Sequence, residues 1–242
     1  MEELNDNYIK LCYDKWHSSL EPDQHGNAPW YQMVRNSIVP EKDLDDKTVL
    51  EIGCGSGGFA CWLARHPSTP KKVVAADFSD TAIFNAKSIG ELQLTKPSFV
   101  VADITSLTIF ETNSFDTVFS CETIEHVPNP QLALHELSRV LRPGGNLYLT
   151  APNYFSTIGL YRLYCLMRGR KFTECGQPIN QFTTVFNIRK MVLSAGLKIS
   201  KIHSCGHYIP FPGRPPLEFK WLGYPNFMMK WFGHHLLIVA KK

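Results

Sequence analysis

Short apolar runs, most of them rich in β-branched residues, recur along the chain between charged residues, glycines and prolines. Runs of this kind are typical of strands that are buried in a parallel sheet. Between them, Leu134, Leu137 and Leu141 recur at helical spacing. Strands are predicted at 48–52, 72–76, 98–102, 115–121, 146–151, 197–203 and 235–240. Helices are predicted at 59–65, 79–89, 131–141 and 185–195. This alternation of strand and helix indicates an α/β fold.

Three segments fall outside the alternation. Residues 1–47 precede the first strand and are dense in tyrosine and tryptophan. They form either a helical arm that packs on the sheet edge or a lid that closes over a ligand. The segments 154–183 and 206–233 are long for plain loops, so we expect cap insertions over the carboxyl ends of the strands. The predicted organisation is an arm at 1–47 and one domain at 48–242.

The first of these insertions has two interpretations. The aromatic and aliphatic residues of 154–183 predict a helix that walls an apolar pocket. The same helix could lie on a membrane surface, with Arg168, Arg170 and Lys171 at the headgroups. We favour the pocket wall, because the stretch lacks a polar face patterned for lipid.

Composition narrows the class of protein. Of the 242 residues, 44% are hydrophobic and 19% are charged, which are ordinary globular values and argue against disorder. The formal net charge of +3 is too small to indicate a nucleic-acid partner. The mostly basic stretch from 162 to 220 is interpreted as a solvated face, with a rim beside an anionic acceptor or a membrane as the alternative.

The location of the protein is predicted from its start and its cysteines. The first residues lack the basic and apolar regions of a signal peptide. No apolar run approaches the roughly twenty residues of a membrane span. The seven cysteines are scattered and form no Cys-x-x-Cys pair. We therefore expect free thiols in a reducing, cytoplasmic environment and no transmembrane segment.

A glycine-rich turn follows the first predicted strand. Gly53, Gly55 and Gly57 bring bare backbone close to a ligand, and the helix that follows turns its free N–H groups toward it. A strand, a glycine turn and a helix in this order predict a nucleotide-cofactor site. The turn also fits the dinucleotide pattern Gly-x-Gly-x-x-Gly, ending at Gly58, which is a weak signal alone. Glu51 favours a cofactor with a cationic group, such as the ammonium of a bound amino acid.

At this point a family resemblance becomes visible. The pattern Glu51-x-Gly53-x-Gly55-x-Gly57 resembles motif I of the class I S-adenosylmethionine-dependent methyltransferases. The stretch 115–153 resembles the methyltransferase group that includes the ubiquinone-biosynthesis enzymes, so the resemblance covers about 48–153. It implies a Rossmann-like, seven-stranded, mostly parallel sheet with an antiparallel last strand, helices on both faces and a helical cap. It also implies S-adenosyl-L-methionine as the cofactor.

The predicted cofactor residues lie at the ends of the first four strands. Asp77 follows the glycines by roughly twenty residues, the spacing expected for a group that holds ribose hydroxyls. In the family, the position of Asp103 reads the adenine amine and an apolar neighbour, here Ile104, contacts the ring. Alternatively, the two aspartates only start turns. The cofactor-binding residues are predicted to be Glu51, Gly53, Cys54, Gly55, Gly57, Asp77, Phe78, Asp103, Ile104, Cys121 and Glu122.

His126 is the candidate catalytic residue. It follows the fourth strand, beside the expected methyl group, and could act as a general base; alternatively it only caps or packs the loop. His234 and His235 adjoin the last strand and are interpreted as structural. The substrate pocket is predicted to contain Tyr13, Trp16, Trp30, Tyr154 and Tyr161.

The same loop raises the question of a metal ion. Glu122-x-x-Glu125-His126 resembles the metal-binding loop of small-RNA 2′-O-methyltransferases and of some quinone O-methyltransferases. Two carboxylates and an imidazole can hold Mg²⁺ or Mn²⁺ against acceptor oxygens. The RNA family adds a histidine after the fifth strand, and the stretch 151–180 has none. We therefore predict no metal.

The predicted function is methyl transfer from S-adenosylmethionine to a small, largely apolar metabolite, such as a natural product or a quinone precursor. One alternative is a metal-assisted O-methyltransferase acting on a catechol or a nucleic-acid 2′-hydroxyl. Another is a non-catalytic, cofactor-binding scaffold, and a dinucleotide oxidoreductase is a poorer one. No nucleic-acid partner is expected.

Overall fold

The computed structural model describes residues 6–19, 28–91, 97–170, 172, 176–211, 214–218 and 231–242. In these residues the strands are β1 Thr48–Ile52, β2 Lys72–Asp77, β3 Ser98–Val101, β4 Phe115–Cys121, β5 Leu141–Pro152, β6 Lys198–Cys205, β7 Tyr208–Phe211, β8 Arg214–Glu218 and β9 His235–Lys241. The helices are α1 Asp6–Ser18, α2 Pro29–Arg35, α3 Pro40–Asp43, α4 Gly58–Ala64, α5 Asp80–Glu91, α6 Pro130–Val140, α7 Thr157–Met167 and α8 Val185–Ser194, with a 3₁₀ turn at Ile124–His126.

Seven of these strands form one sheet in the order β3-β2-β1-β4-β5-β9-β6. The pairs β1–β2, β1–β4, β2–β3 and β4–β5 are parallel, whereas β9 runs antiparallel to both β5 and β6. This confirms the predicted fold class of a mostly parallel sheet with an antiparallel last strand. The five parallel strands β3, β2, β1, β4 and β5 therefore present their carboxyl ends at one edge of the sheet. Strand β9 begins at that same edge.

Strand β1 shows how the sheet is buried on both faces. Val49 packs in one cluster with Phe59 of α4, and residues of α2 and α5 belong to this cluster. Leu50 packs in the opposite cluster with Leu137 of α6, which also includes residues of α8. Because successive strand residues point to opposite faces, Glu51 lies on the α4 face at the carboxyl end of β1. The two hydrophobic clusters thus fix which way this carboxylate points.

A buried carboxylate ties the segment before β1 to the sheet. Asp43 is 1% exposed. Its Oδ2 accepts hydrogen bonds from the amide of Val39 (2.7 Å) and the hydroxyl of Tyr148 (2.6 Å). Its Oδ1 accepts one from Nδ2 of Asn146 (2.7 Å). Burial raises the pKa of Tyr148, and the Asp43 carboxyl beside it adds to that rise. The arm is therefore anchored on β5 through a satisfied polar network.

The structure corrects one local prediction. The fifth strand is predicted at 146–151, after an Arg-Pro-Gly-Gly sequence at 142–145 that is typical of a turn. These four residues instead lie inside β5 as an irregularity, because the register moves from Phe115 opposite Leu141 to Thr117 opposite Asn146. The segment 206–233, predicted as a cap insertion, contains the antiparallel hairpin of β7 and β8 in its described part. Its prolines and glycines hide the alternation that would identify strands.

Parts of three predicted segments lie outside the described residues, namely 1–5 and 20–27 of the arm, 171 and 173–175 of the first insertion, and 212–213 and 219–230 of the second. The described cysteines are free thiols at Cys12, Cys54, Cys61, Cys121, Cys165 and Cys205, and Cys175 is outside the described residues. None of the described helices is long and apolar enough to cross a membrane.

Candidate active site

A cleft of about 820 Å³ opens where the parallel strands end. It brings together the predicted cofactor residues from the ends of β1 to β4 and most of the predicted substrate pocket. The predicted residues that line it are Tyr13, Trp16, Trp30, Glu51, Gly53, Cys54, Gly55, Asp77, Phe78, Asp103, Ile104, Cys121, Glu122, His126 and Tyr161. Gly57 and Tyr154 are not among its lining residues. The site thus lies where open α/β sheets bind ligands.

The glycine turn forms the floor of the cleft. The amides of Gly53 and Cys54 donate to the carbonyl of Ala76 (2.8 and 3.0 Å), which holds the turn against β2. Gly55 has a φ of +51° and faces the cleft. Gly57 serves packing instead, because a Cβ there would come within 2.8 Å of the ring of Phe99. The prediction that Gly57 contacts the cofactor therefore has no support from its position.

Glu51 is a buried carboxylate on the wall of this cleft. It is 3% exposed, and its Oε2 has no hydrogen-bond partner among the described residues. Burial raises its pKa well above the usual range, and the charge of Asp77 raises it further. A buried acceptor of this kind is costly unless a ligand satisfies it. An ammonium group placed here would supply both a donor and a compensating charge, so the residue fits the amino-acid part of S-adenosylmethionine.

Two further carboxylates follow β2 and β3. Asp77 accepts hydrogen bonds from the amide of Gly55 at Oδ2 (2.8 Å) and from the amide of Ser79 at Oδ1 (3.0 Å). Asp103 accepts at Oδ1 from both the amide and the hydroxyl of Thr105 (2.8 and 2.7 Å). These contacts fix the orientation of both side chains at the cleft. Each aspartate therefore accepts hydrogen bonds within a turn and also lines the cleft, so the two interpretations of these residues are compatible.

Helix α1 covers the part of the cleft that lies at the ends of β1, β2 and β3. The carboxylate of Asp14 accepts from the hydroxyl of Ser79 (2.5 Å) and the amide of Thr81 (3.1 Å), at the start of α5. The hydroxyl of Tyr13 donates to the carbonyl of His126 (3.0 Å), on the other side of the cleft. Burial raises the pKa of Tyr13. His17, which the sequence did not single out, places Nε2 4.0 Å from Oδ1 of Asp77.

The two cysteines in the cleft are neutral thiols. Cys54 and Cys121 are buried, and burial raises the pKa of each well above its usual range, with nearby carboxylates adding to the effect. Because the thiolate is the nucleophilic form, neither side chain is activated for covalent chemistry. Their role in the cleft is therefore to provide wall surface.

Tyr154 belongs to a second cavity, of about 1110 Å³. Its ring is 4% exposed, stacks on Phe182 with centroids 5.1 Å apart, and lies under the guanidinium of Arg162 at 4.6 Å. The tyrosine therefore points away from the cofactor cleft, which corrects its predicted place in the substrate pocket. Phe172 lines both cavities, so the two are neighbours.

The loop after β4 carries two carboxylates, and each of them lies near an imidazole. Nδ1 of His235 lies 3.0 Å from Oε2 of Glu122. Burial opposes ionisation of Glu122, but His235, Thr150 and His234 together hold the pKa of this carboxyl below its usual range. Nε2 of His126 lies 3.4 Å from Oε1 of Glu125, and its Nδ1 lies 2.7 Å from the carbonyl of Ile179. Burial lowers the pKa of His126.

His234 and His235, which the sequence offers as weaker candidates for a base and which are interpreted as structural, line the cleft. Burial, with His235 beside it, lowers the pKa of His234 to about 4. The signal that could have placed them is the antiparallel direction of β9, which brings its first residue to the carboxyl ends of β4 and β5. Among the described residues, no three His, Cys, Asp or Glu side chains form a group that could hold a metal ion.

Comparison with known proteins agrees with the geometry of this site. Residues 50–149 match the family model described as a methyltransferase domain. The match covers less than half of the chain; with the sheet order and the acidic strand ends, it makes the chain similar to the class I S-adenosylmethionine-dependent methyltransferases. Methyltransferases of this family and fold use S-adenosylmethionine as their methyl donor.

Individual relatives can also be named. The chain is 34% identical over 148 residues to the ubiquinone biosynthesis O-methyltransferase of Coxiella burnetii, and the match covers 60% of each protein. It thus spans under two thirds of this relative's length. A Haloferax volcanii methyltransferase, solved with the activator Trm112, has a TM-score of 0.68 at 19% identity, covering 95% of this chain and 96% of that one. An S-adenosylmethionine-dependent methyltransferase from Mesorhizobium loti has a TM-score of 0.61 at 17% identity, covering 89% and 99%. At these identities the two structures show a shared fold alone.

Proposed function

We propose that this protein transfers a methyl group from S-adenosylmethionine to a small, largely apolar acceptor. The observation that carries the proposal is Glu51, a buried carboxylate whose Oε2 has no partner in the described residues. A dinucleotide would bring an anionic pyrophosphate to the glycine turn, beside Glu51 and Asp77. An amino-acid ammonium is the better match, because it neutralises Glu51 and satisfies its open acceptor.

The cofactor occupies the half of the cleft formed by β1, β2 and β3. Glu51 holds the ammonium, and Gly55 leaves room for the methionine part. Asp77 keeps both carboxylate oxygens at the cleft wall, where each can accept from a ribose hydroxyl in addition to its backbone donor. Asp103 and Ile104 take the adenine ring, as the family resemblance implies. Helix α1 acts as the lid over this half, anchored by Asp14.

The acceptor occupies the half formed by the ends of β4, β5 and β9. Its aromatic wall is formed by Tyr161, and Tyr13, Trp16 and Trp30 reach it from the arm, since all four side chains line the one cleft. Helix α7, in the insertion proposed as a cap, separates this half from the second cavity. The name of the Coxiella burnetii relative supports a quinone-like acceptor with a hydroxyl group. Contact of the exposed apolar side chains of α7 with a membrane surface is the alternative use of the same segment.

Bound S-adenosylmethionine supplies an electrophilic methyl carbon and a neutral leaving group. The residues of the chain therefore need mainly to align acceptor and cofactor in one line and to exclude water. The aromatic wall and α1 perform both tasks. Only a hydroxyl or amine acceptor needs a base, and His126 is the candidate from the sequence.

Calorimetry tests the proposal first at the cofactor. The full chain should bind S-adenosylmethionine and S-adenosylhomocysteine and should not bind NAD. Preferential binding of NAD would refute the assignment. A screen of quinols, catechols and apolar phenols with labelled S-adenosylmethionine then tests transfer. Tight binding without transfer to any acceptor would identify a cofactor-binding scaffold instead.

A metal-assisted reaction is the second candidate that the screen must separate. Glu122 and Glu125 are turned toward two different histidines, which disfavours joint coordination of one ion. Turnover that stops with chelator and returns with Mg²⁺ or Mn²⁺ would favour the metal mechanism.

A further inference from the structure

The second cavity, of about 1110 Å³, lies along one side of α7. Thr157, Leu160, Leu163 and Leu166 line it, at a spacing of three residues that places them on the same side of the helix. The three leucines are 66%, 51% and 73% exposed. Apolar side chains that are exposed together in this way mark a surface that a ligand or a partner covers.

The charge of this cavity has one sign. Its described lining residues include Arg162 and Arg170 but no aspartate or glutamate. Ser156 and Thr157, where α7 begins, line it as well. The hydroxyl of Ser156 does not cap the helix and donates instead to the carbonyl of Asn153 (2.6 Å). Because a helix N-terminus carries a partial positive charge, it adds to the charge of the arginines. The cavity therefore favours an anionic ligand group.

Arg162 is the cation whose hydrogen bonds are incomplete. Its guanidinium lies over the rings of Tyr154 (4.6 Å), Phe182 (5.4 Å) and Phe172 (5.5 Å). Nη2 makes only a long contact of 3.4 Å with the carbonyl of Asn180. Nη1 is buried and has no hydrogen-bond partner among the described residues. A buried donor without an acceptor costs free energy, and the ring faces do not replace a ligand oxygen.

These features together define the chemistry of the ligand. An apolar chain covers the leucines, and an anionic end meets the guanidinium. A carboxylate matches the planar guanidinium and needs few donors. A phosphate group brings three strong acceptor oxygens, whereas Arg162 offers one open nitrogen. The helix face from Thr157 to Leu166 is about 14 Å long, which is enough for a chain of about ten carbons.

We propose that the second cavity is a separate binding site for an amphiphilic carboxylate with one apolar chain, such as a fatty acid. Arg162 pairs with the carboxylate, and the chain lies along Leu160, Leu163 and Leu166. Binding makes and breaks no covalent bond. The site goes beyond the methyl-transfer function proposed above and does not depend on it.

Phe172 forms the wall between this site and the cofactor cleft, because it lines both cavities. Its ring lies edge-on to Tyr154 in the second cavity, with centroids 5.8 Å apart. It also lies edge-on to Tyr161 in the cleft, at 6.2 Å. With this wall in place, the carboxylate and S-adenosylhomocysteine should bind at the same time.

Calorimetry with the full chain tests binding, with monomeric decanoate as the probe. We expect one decanoate per chain, both without S-adenosylhomocysteine and in its saturating presence. Decanol, which has the same chain and no charge, should bind about tenfold more weakly or worse, because it loses the charge-assisted contact with Arg162. Decylammonium should bind more weakly still. Equal affinity for the three probes would overturn the proposal.

One pair of variants locates the chain. Leu163→Trp fills the second cavity and should abolish binding of decanoate. Leu132→Trp is the matched control, because Leu132 is a 45% exposed leucine of α6 that lines the cofactor cleft instead. It should leave the affinity for decanoate unchanged. The reverse result, or displacement of decanoate by S-adenosylhomocysteine, would place the probe in the cleft and overturn the proposal.

A second pair locates the carboxylate. Arg162→Met should weaken decanoate binding by about tenfold or more, and Arg162→Lys should weaken it less. Arg168→Met removes the same charge from the end of α7, outside the described lining of the cavity, and should have no effect. Equal weakening in Arg162→Met and Arg168→Met would show attraction by net charge alone and would refute the site.

Two further outcomes are decisive. If Arg162→Met does not fold by circular dichroism, the leucine pair decides, and binding that persists in Leu163→Trp overturns the proposal. If the chain binds phosphatidylglycerol vesicles but no monomeric decanoate, α7 contacts a lipid surface and the cavity is not a carboxylate site. Failure to bind S-adenosylhomocysteine would refute the proposed function and leave this proposal standing.

Discussion

Replacement of Glu51 by glutamine tests the cofactor assignment most directly. The substitution keeps the size and one acceptor of the side chain but removes its charge. In the wild-type protein the carboxylate is 3% exposed and Oε2 has no partner in the described structure, so an ammonium there would make a charge-assisted hydrogen bond away from water. Such a bond contributes about 1.5–3 kcal/mol. At about 1.4 kcal/mol per tenfold change, Glu51→Gln should weaken S-adenosylhomocysteine binding by about 10- to 150-fold.

The control for this prediction is a second ligand. 5′-Methylthioadenosine keeps the adenosine part but lacks the ammonium and the carboxylate of the amino acid. Calorimetry should find that Glu51→Gln leaves its affinity nearly unchanged. Equal weakening of both ligands would mean that the substitution disturbs the whole cleft. Unchanged binding of S-adenosylhomocysteine would refute the role of Glu51.

The raised pKa of Glu51 adds a prediction on stability without ligand. The folded chain keeps a proton on this carboxyl at pH values where the unfolded chain has lost it. Stability must therefore fall as the pH rises from the unfolded pKa through the folded one, because the unfolded state binds fewer protons. Glu51→Gln does not titrate, so its melting temperature should exceed that of the wild type by a margin that grows with pH. Thermal unfolding from pH 5 to 9 measures the margin; a margin independent of pH would contradict the buried-acid argument.

Three further substitutions probe the turn, the anchor and the lid. Gly55→Ala places an alanine at a positive φ, and so does the control Gly196→Ala, so each should cost about 1–2 kcal/mol in unfolding free energy. Only Gly55→Ala should weaken S-adenosylhomocysteine binding in calorimetry. Tyr148→Phe should lower the unfolding free energy by about 1–3 kcal/mol in urea titrations, because the buried carboxyl of Asp43 loses a donor, while ligand affinity stays unchanged. Asp14→Ala should speed dissociation of S-adenosylhomocysteine in stopped-flow experiments, because it releases α1 from the start of α5; an unchanged rate would show that α1 is not a lid.

The strands of the sheet could be predicted because their sequence signal is local. Each of β1 to β4 is an apolar run that ends at glycine or a polar side chain, and the structure places their bounds within two residues of the prediction. The residues after these strands could be grouped into one site for a related reason, since parallel strands end at the same edge of a sheet. Glu51, Asp77 and Asp103 line one cleft for this reason.

The direction of a side chain beyond a strand end carries no such signal. Tyr154 is expected in the substrate pocket because it belongs to the aromatic insertion predicted to wall that pocket, but Asn153 before it donates to Trp231 and Gly233 and turns the chain at that point. The tyrosine ring then packs under Arg162, in the neighbouring cavity. A contact between residues so distant in sequence decides the outcome, and no local pattern reports it.

The contact between Glu122 and His235 could not be predicted from the sequence, because it depends on a long-range strand pairing and on an unusual backbone conformation. Its formation needs β9 to enter the sheet antiparallel beside β5, so that its first residue meets the ligand edge. It also needs a glutamate in a backbone conformation that sequence patterns assign to glycine or asparagine. The histidine that adjoins a predicted strand therefore looks structural in the sequence, whereas the histidine next to the expected methyl group looks catalytic. In the folded chain the first has a carboxylate at Nδ1 and the second has the carbonyl of Ile179 at Nδ1, and position along the sequence reports neither contact.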